Sequence, residues 1–219
     1  MILEVLQLVP HPDTPAKAVP SVLCSLSWQD AGHWVAGFIV GAPSEALALP
    51  TPTRPARTDG LWQRTCFELF LRDPESGAYL EFNFSPSGEW AAYRFDGYRA
   101  GMRPLELADP WITSTDRDQF NAGMGAHLAA LGLDPASIGT LLSTPMPEIP
   151  GAPAAPAQYV LNAHLEDPAL GAAKTWQLGI SAVIEEADGT KSYWALAHPE
   201  GKPDFHADAC FALEMAMSR

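Results

Sequence analysis

Residues 59–99, DGLWQRTCFELFLRDPESGAYLEFNFSPSGEWAAYRFDGYR, constrain the fold more than any other part of this chain. Short runs rich in aromatic and apolar residues alternate there with turn-forming clusters. The pattern predicts three consecutive antiparallel strands over 65–71, 78–84 and 89–95. Side chains alternate faces along a strand. One face, expected to be core, takes Phe67, Leu69, Leu71, Leu80, Phe82, Phe84, Ala91, Tyr93 and Phe95. The other takes Glu68, Phe70, Tyr79, Glu81, Asn83, Trp90 and Arg94.

The loops suggest a register. Ser85-Pro86-Ser87-Gly88 suits a four-residue hairpin connection, which sets Asn83 opposite Trp90 and Tyr79 opposite Arg94. The loop 72–77 sets Glu68 opposite Glu81. Like charges directly opposed across strands are destabilising. A sheet face with no role beyond structure has little reason to keep them, so this face reads as a polar binding surface. The plainer alternative is two glutamates pointing into water, screened by Arg94 and Arg64.

Strand-like segments continue along the chain at 2–9, 22–28, 34–40, 158–165, 176–186, 191–197 and 209–215, with Asp188-Gly189 marking a hairpin. Two proline-rich stretches, 43–57 and 144–156, read as loops, and a short helix is expected at 135–142 after Asp134-Pro135. No repeat of fixed period is visible. The expected fold is all-β, an antiparallel β-sandwich of jelly-roll or immunoglobulin-like type with at most one or two short helices, in a single domain over 1–219.

The 219 residues carry a formal net charge of −13, which speaks against a nucleic-acid ligand and against anionic membrane surfaces. The amino terminus lacks a basic n-region, and no apolar run is long enough to cross a membrane as a helix. Cys24, Cys66 and Cys210 form no metal-finger spacing; buried, reduced thiols in a cytoplasmic protein are the simplest account.

No Ser/His/Asp, Gly-x-Ser-x-Gly, His-Glu-x-x-His or Gly-x-Gly-x-x-Gly motif is present. Glu68 and Glu81 could act in principle as a glycosidase pair, in which case one carboxyl should titrate high. Small-ligand sites combine aromatic walls with a few converging polar groups. Trp62, Trp90, Tyr79, Tyr98 and Phe205 are candidate platforms, and Glu68, Glu81, Asn83, Arg64 and Arg94 candidate polar partners. The loop AHPEGKPDFHA gathers His198, Lys202, Asp204 and His206; it reads as a turn with Asp204 and His206 bonding backbone, or as part of a site. A metal held by His198, His206 and Asp208 matches no known ligand spacing.

The stretches DGLWQRTCFELFL, YLEFNFSPSGEWAAYRFDGYR, ISAVIEE and YWALAHPEGKPDFH resemble the DOMON-like domains related to family 9 carbohydrate-binding modules, in a bacterial stand-alone subgroup without assigned activity. The resemblance implies a β-sandwich that binds sugars or haem. It implies that Trp62 and Glu68 hold a terminal sugar, that Arg94 assists, and that Phe205 or the adjacent His206 completes an aromatic sandwich. Family 9 modules are usually secreted and joined to a glycanase. With neither feature here, the expected ligand is an intracellular sugar or cell-wall precursor. Haem, with axial methionine and histidine or lysine drawn from Met102, Met124 or Met146, ranks second. Calcium is a further candidate, and a protein partner docked on the aromatic sheet face is the rival reading.

Overall fold

The computed structural model describes residues 5–30, 32–116, 158–167, 170 and 175–216. The predicted helix at 135–142 and the proline-rich stretch 144–156 lie outside the described residues. Within them the chain forms twelve antiparallel strands, and its helical segments are single 3-10 turns. The strands are β1 (Leu6–Pro10), β2 (Val22–Asp30), β3 (His33–Val40), β4 (Cys66–Arg72), β5 (Tyr79–Phe84) and β6 (Trp90–Phe95). They continue with β7 (Arg103–Pro104), β8 (Trp111–Asp116), β9 (Tyr159–Glu166), β10 (Thr175–Glu185), β11 (Lys191–Ala195) and β12 (Leu213–Ala216).

Hydrogen bonds link the strands in the order β7-β6-β5-β4-β10-β11-β1-β2-β3-β9-β8, with β12 also on β10. The path folds over at β1: Leu6, Gln7 and Leu8 pair with β2, while Val9 and Pro10 pair with β11. One strand thus serves two layers, and the layers face each other across the main core. Phe38 of one layer packs on Phe67 of the other, with ring centroids 4.9 Å apart, and Phe67 stacks on Tyr159 at 6.4 Å. The fold is the expected all-β antiparallel sandwich. In such a sandwich the inner faces interdigitate while polar residues alternate outward.

The β4–β6 segment departs from that alternation, because β4 and β5 are buried on both faces. Inward, Phe67, Leu69, Leu71, Leu80, Phe82 and Phe84 join the main core, as predicted. Outward, Phe70, Tyr79, Ala91, Tyr93 and Phe95 form a second apolar cluster with Phe205 and Phe211. Buried on both sides, these strands read as nearly continuous apolar runs.

The predicted register is corrected at both hairpins. Ser85 N–H donates to Glu89 C=O, and Gly88, at φ 89°, donates to Ser85 C=O. The loop therefore spans three residues, Pro86-Ser87-Gly88, in the geometry that favours a left-handed glycine. Phe84 sits opposite Trp90, and Asn83 sits opposite Ala91. A one-residue slip moves every side chain of a strand to the other face. Trp90 accordingly belongs to the main core, with the Arg57 guanidinium 4.9 Å from its ring, and Arg94 points to solvent opposite Leu80. Ala91, Tyr93 and Phe95 take the outer face. At the first hairpin the shift is two residues, so faces are kept, but Glu68 pairs with Asn83 and Glu81 with Phe70. The glutamates are diagonal neighbours rather than directly opposed.

Candidate functional site

A cleft of about 340 Å³ opens on the outer face of β4 and β5. Its floor is Glu68 and Glu81, and its walls include Trp62, Phe95, Tyr193, Phe205 and His206. Strand alternation aims both glutamates outward. The loop after β11 then folds over the sheet and buries them, leaving Glu68 3% and Glu81 5% exposed.

Each carboxyl spends one oxygen on a protein donor. Ser181 Oγ, directly across from Glu68 on β10, donates to Glu68 Oε2 at 2.9 Å. Asn83 Nδ2 donates to Glu81 Oε1 at 2.7 Å. Burial away from water raises both carboxyls above the usual carboxylate range; for Glu68 the neighbouring Glu81 charge adds to that effect. The hydrogen bonds and the nearby Arg99 oppose the rise without cancelling it.

The rim is built from three loops. Gly60, at φ 78°, starts the 3-10 turn Leu61–Gln63 that presents Trp62. Trp62 is 40% exposed and meets Tyr93 edge-on at 6.4 Å. Tyr93 Oη donates to Asp59 at 2.6 Å, and Lys191 Nζ donates to Gln63 C=O at 2.6 Å, which fixes the turn from both ends.

The second loop follows β6. Arg99 adopts φ 49°, a left-handed conformation that non-glycine residues enter rarely. Its backbone N–H donates to Tyr79 Oη at 3.2 Å and its guanidinium to Asp204 Oδ1 at 2.7 Å.

The third loop carries Asp204, Phe205 and His206. Asp204 accepts from Tyr98 Oη at 2.6 Å, from Arg99 and from the His206 N–H at 3.1 Å. Burial works against its charge, but the hydrogen bonds from Tyr98 and Arg99 outweigh it and hold the carboxyl below its ordinary value. His206 Nδ1 lies 2.7 Å from Tyr79 Oη, and its Nε2 lies 3.8 Å from Glu81 Oε2. Burial, with help from Arg99, pushes the imidazole down to about 4. With the imidazole held neutral, its approach to Glu81 is not an ion pair.

Of the residues singled out in the sequence, Trp62, Glu68, Glu81, Phe205 and His206 line the cleft. Tyr79 and Asn83 stand behind it, orienting His206 and Glu81. Trp90 and Arg94 lie on the opposite face and are removed from the candidate site by the corrected register. Arg64 ends the turn that presents Trp62; it is exposed and outside the cleft lining. The arginine of the cleft is Arg99, which the strand pattern could not reveal because a turn delivers it. Tyr193 was also missed, while Met102, named only as a haem-ligand candidate, lines the cleft, and Met124 and Met146 lie outside the described residues. Asp204 had a signal, its place among the charged residues of the Pro/Gly-rich loop.

Among the described residues no group of three or more His, Cys, Asp and Glu side chains is placed to hold a metal ion.

No protein-family profile matches this chain, and no curated protein matches it in sequence. Similar solved structures exist. One is a "putative carbohydrate-binding protein" from Bacteroides uniformis ATCC 8492, at 13% identity and TM-score 0.54, covering 96% of this chain and 83% of that one. Another is a family 9 carbohydrate-binding module from Caldicellulosiruptor kristjanssonii in complex with cellotriose, at 12% identity and TM-score 0.40, covering 90% and 75%. At this identity the Bacteroides likeness speaks for a shared fold.

Proposed function

We propose that this chain is a non-catalytic carbohydrate-binding domain, akin to family 9 modules and DOMON-like domains, which takes a small sugar in the cleft over Glu68 and Glu81. One observation carries the reading: two buried carboxyls each keep an oxygen facing a cleft edged by Trp62 and Phe205. Sugar hydroxyls donate and accept, and carboxyls can satisfy both demands. An aromatic ring on the rim supplies an apolar face for the sugar's C–H surface. The fold shared with a protein described as a putative carbohydrate-binding protein agrees with this reading. Three free, buried thiols suit a reducing compartment such as the cytoplasm.

Both carboxyls lie side by side on one floor, as diagonal neighbours on adjacent strands, rather than facing each other across a gap. A glycosidase needs one acid and one ionised partner flanking the scissile bond. Binding without turnover is therefore the better account.

The test is a thermal-shift screen against mono- and oligosaccharides, followed by calorimetry on any hit. A ligand at 100 times its Kd stabilises by about 2.7 kcal/mol. Trp62→Ala should abolish the shift while leaving the free protein's melting temperature nearly unchanged. Turnover of an aryl glycoside, lost in Glu68→Gln, would replace binding with hydrolysis.

A further inference from the structure

We infer that the cleft selects a ligand bearing a protonated primary amine, which on the carbohydrate reading above means an amino sugar whose amine is free. The geometry rests on how the floor's hydrogen bonds are shared out. Glu68 accepts from Ser181 through Oε2, and Glu81 accepts from Asn83 through Oε1. Among the described residues nothing donates to Glu68 Oε1, and the nearest candidate to Glu81 Oε2 is His206 Nε2 at 3.8 Å, beyond hydrogen-bond reach. Two carboxyl oxygens on a buried floor thus await donors. Glu68 and Glu81 are 3% and 5% exposed, and what remains open of them faces the cleft, where an entering ligand can reach it.

A primary ammonium matches the requirement. It carries three N–H donors and no acceptor. A hydroxyl brings one donor, enough for only one of the two open oxygens. The surroundings agree. Trp62, Tyr193 and Phe205 line the cleft, and aromatic faces attract cations. Arg99 is the guanidinium at the cleft, and Asp204 at 2.7 Å already engages its charge. His206 is kept neutral by burial, so no second positive charge competes there. The formal charge of −13 draws cationic ligands toward the protein and discourages anionic ones.

Binding has a signature beyond affinity. The empty floor holds a proton that a cationic ligand makes unnecessary, since an ammonium stabilises both carboxylates in its place. At a pH where the free amine is already protonated, complex formation should therefore release protons to the buffer.

The experiment is calorimetric titration of the full chain with D-glucosamine, D-glucose, N-acetyl-D-glucosamine and ethanolamine, in two buffers of different ionisation enthalpy. The expected result is that glucosamine binds at least tenfold tighter than glucose or its N-acetyl form, with a buffer-dependent heat reporting proton release. Glu81→Gln should cut that preference to about threefold or less. Ethanolamine binding without any sugar binding would keep the amine selection and overturn the carbohydrate reading. Glucose binding as tightly as glucosamine would overturn the amine selection and leave the carbohydrate reading standing. No binding of either amine would overturn the inference. The proton-release measurement uses the unmodified protein, so a variant that fails to fold does not remove the test.

Discussion

The Tyr79 hydroxyl lies 2.7 Å from His206 Nδ1 and accepts the Arg99 backbone N–H at 3.2 Å, so a single phenol on β5 fixes two of the three loops around the cleft. Because the phenol oxygen already accepts, its own proton is available to the imidazole, which must be unprotonated at Nδ1. His206→Ala should therefore loosen the loop and destabilise the fold by about 1–3 kcal/mol at pH 7.5. The imidazole is held down to about 4, against 6.5 when free. A folded-state value below the unfolded one means that stability is present above 6.5 and is lost as pH falls toward 4. Urea unfolding at pH 7.5 and pH 5 should show the gap between wild type and His206→Ala narrowing at the lower pH. A gap that widens instead would mean that the imidazole is charged in the native state.

Glu68 and Glu81 tilt the opposite limb of the pH profile. Burial raises both above the 4.5 of a free carboxyl. The native state thus binds protons that the unfolded chain has already lost. The stability this confers is complete below pH 4.5 and declines as pH rises through the raised native values. Glu68→Gln keeps the shape and can still accept from Ser181, but has nothing to ionise. It should be more stable than wild type at pH 9 by about 1–3 kcal/mol, with a smaller difference at pH 5. Equal stabilities at both values would show that the carboxyl is solvated after all.

Burial also silences the thiols. It raises Cys24 to about 12 and Cys210 to about 11, and it raises Cys66, which shares the Glu68 face of β4, well above its ordinary value. The thiolate is the reactive species. Titration of the folded protein with a thiol reagent should leave all three cysteines unmodified over minutes at pH 8, and addition of denaturant should release all three together. Fast labelling of any one in the native protein would mean that local opening exposes it well below the global unfolding free energy.

The β4–β6 segment shows which parts of the fold are visible in a sequence. Strand positions were legible because apolar residues at every second place, with Gly77, Gly88 and Gly189 at the turns, leave few other options. The faces of β4 and β5 were legible for the same reason. The face of β6 was not, because Ser85-Pro86-Ser87-Gly88-Glu89 accommodates either a four-residue or a three-residue loop, and the choice moves Trp90 and Arg94 across the sheet. β7 and β8 went unseen: Arg103–Pro104 is too short to show a period, and Trp111–Asp116 is largely polar. Glu68 and Glu81 stood out as charges in an apolar run. Arg99 did not, since its place depends on a left-handed turn and on a carboxylate from a loop 105 residues away.

The two tryptophans of this segment turn that register into a measurement. Trp90 lies in the main core at 3% exposure, whereas Trp62 stands on the rim at 40%. Truncating a buried large aromatic leaves a cavity and costs about 3–5 kcal/mol. A surface truncation away from such features costs under about 1 kcal/mol. Trp90→Ala should therefore lower the denaturant midpoint sharply and act on ligand affinity only through stability. Trp62→Ala should leave the midpoint nearly unchanged and weaken sugar binding by tenfold or more. Arg94→Ala, on the solvent side of β6, should change neither quantity. If Trp90→Ala proved mild while Arg94→Ala abolished binding, Asn83 would have to pair with Trp90 rather than Ala91, the third strand would turn its other face outward, and Arg94 would return to the cleft beside Glu81.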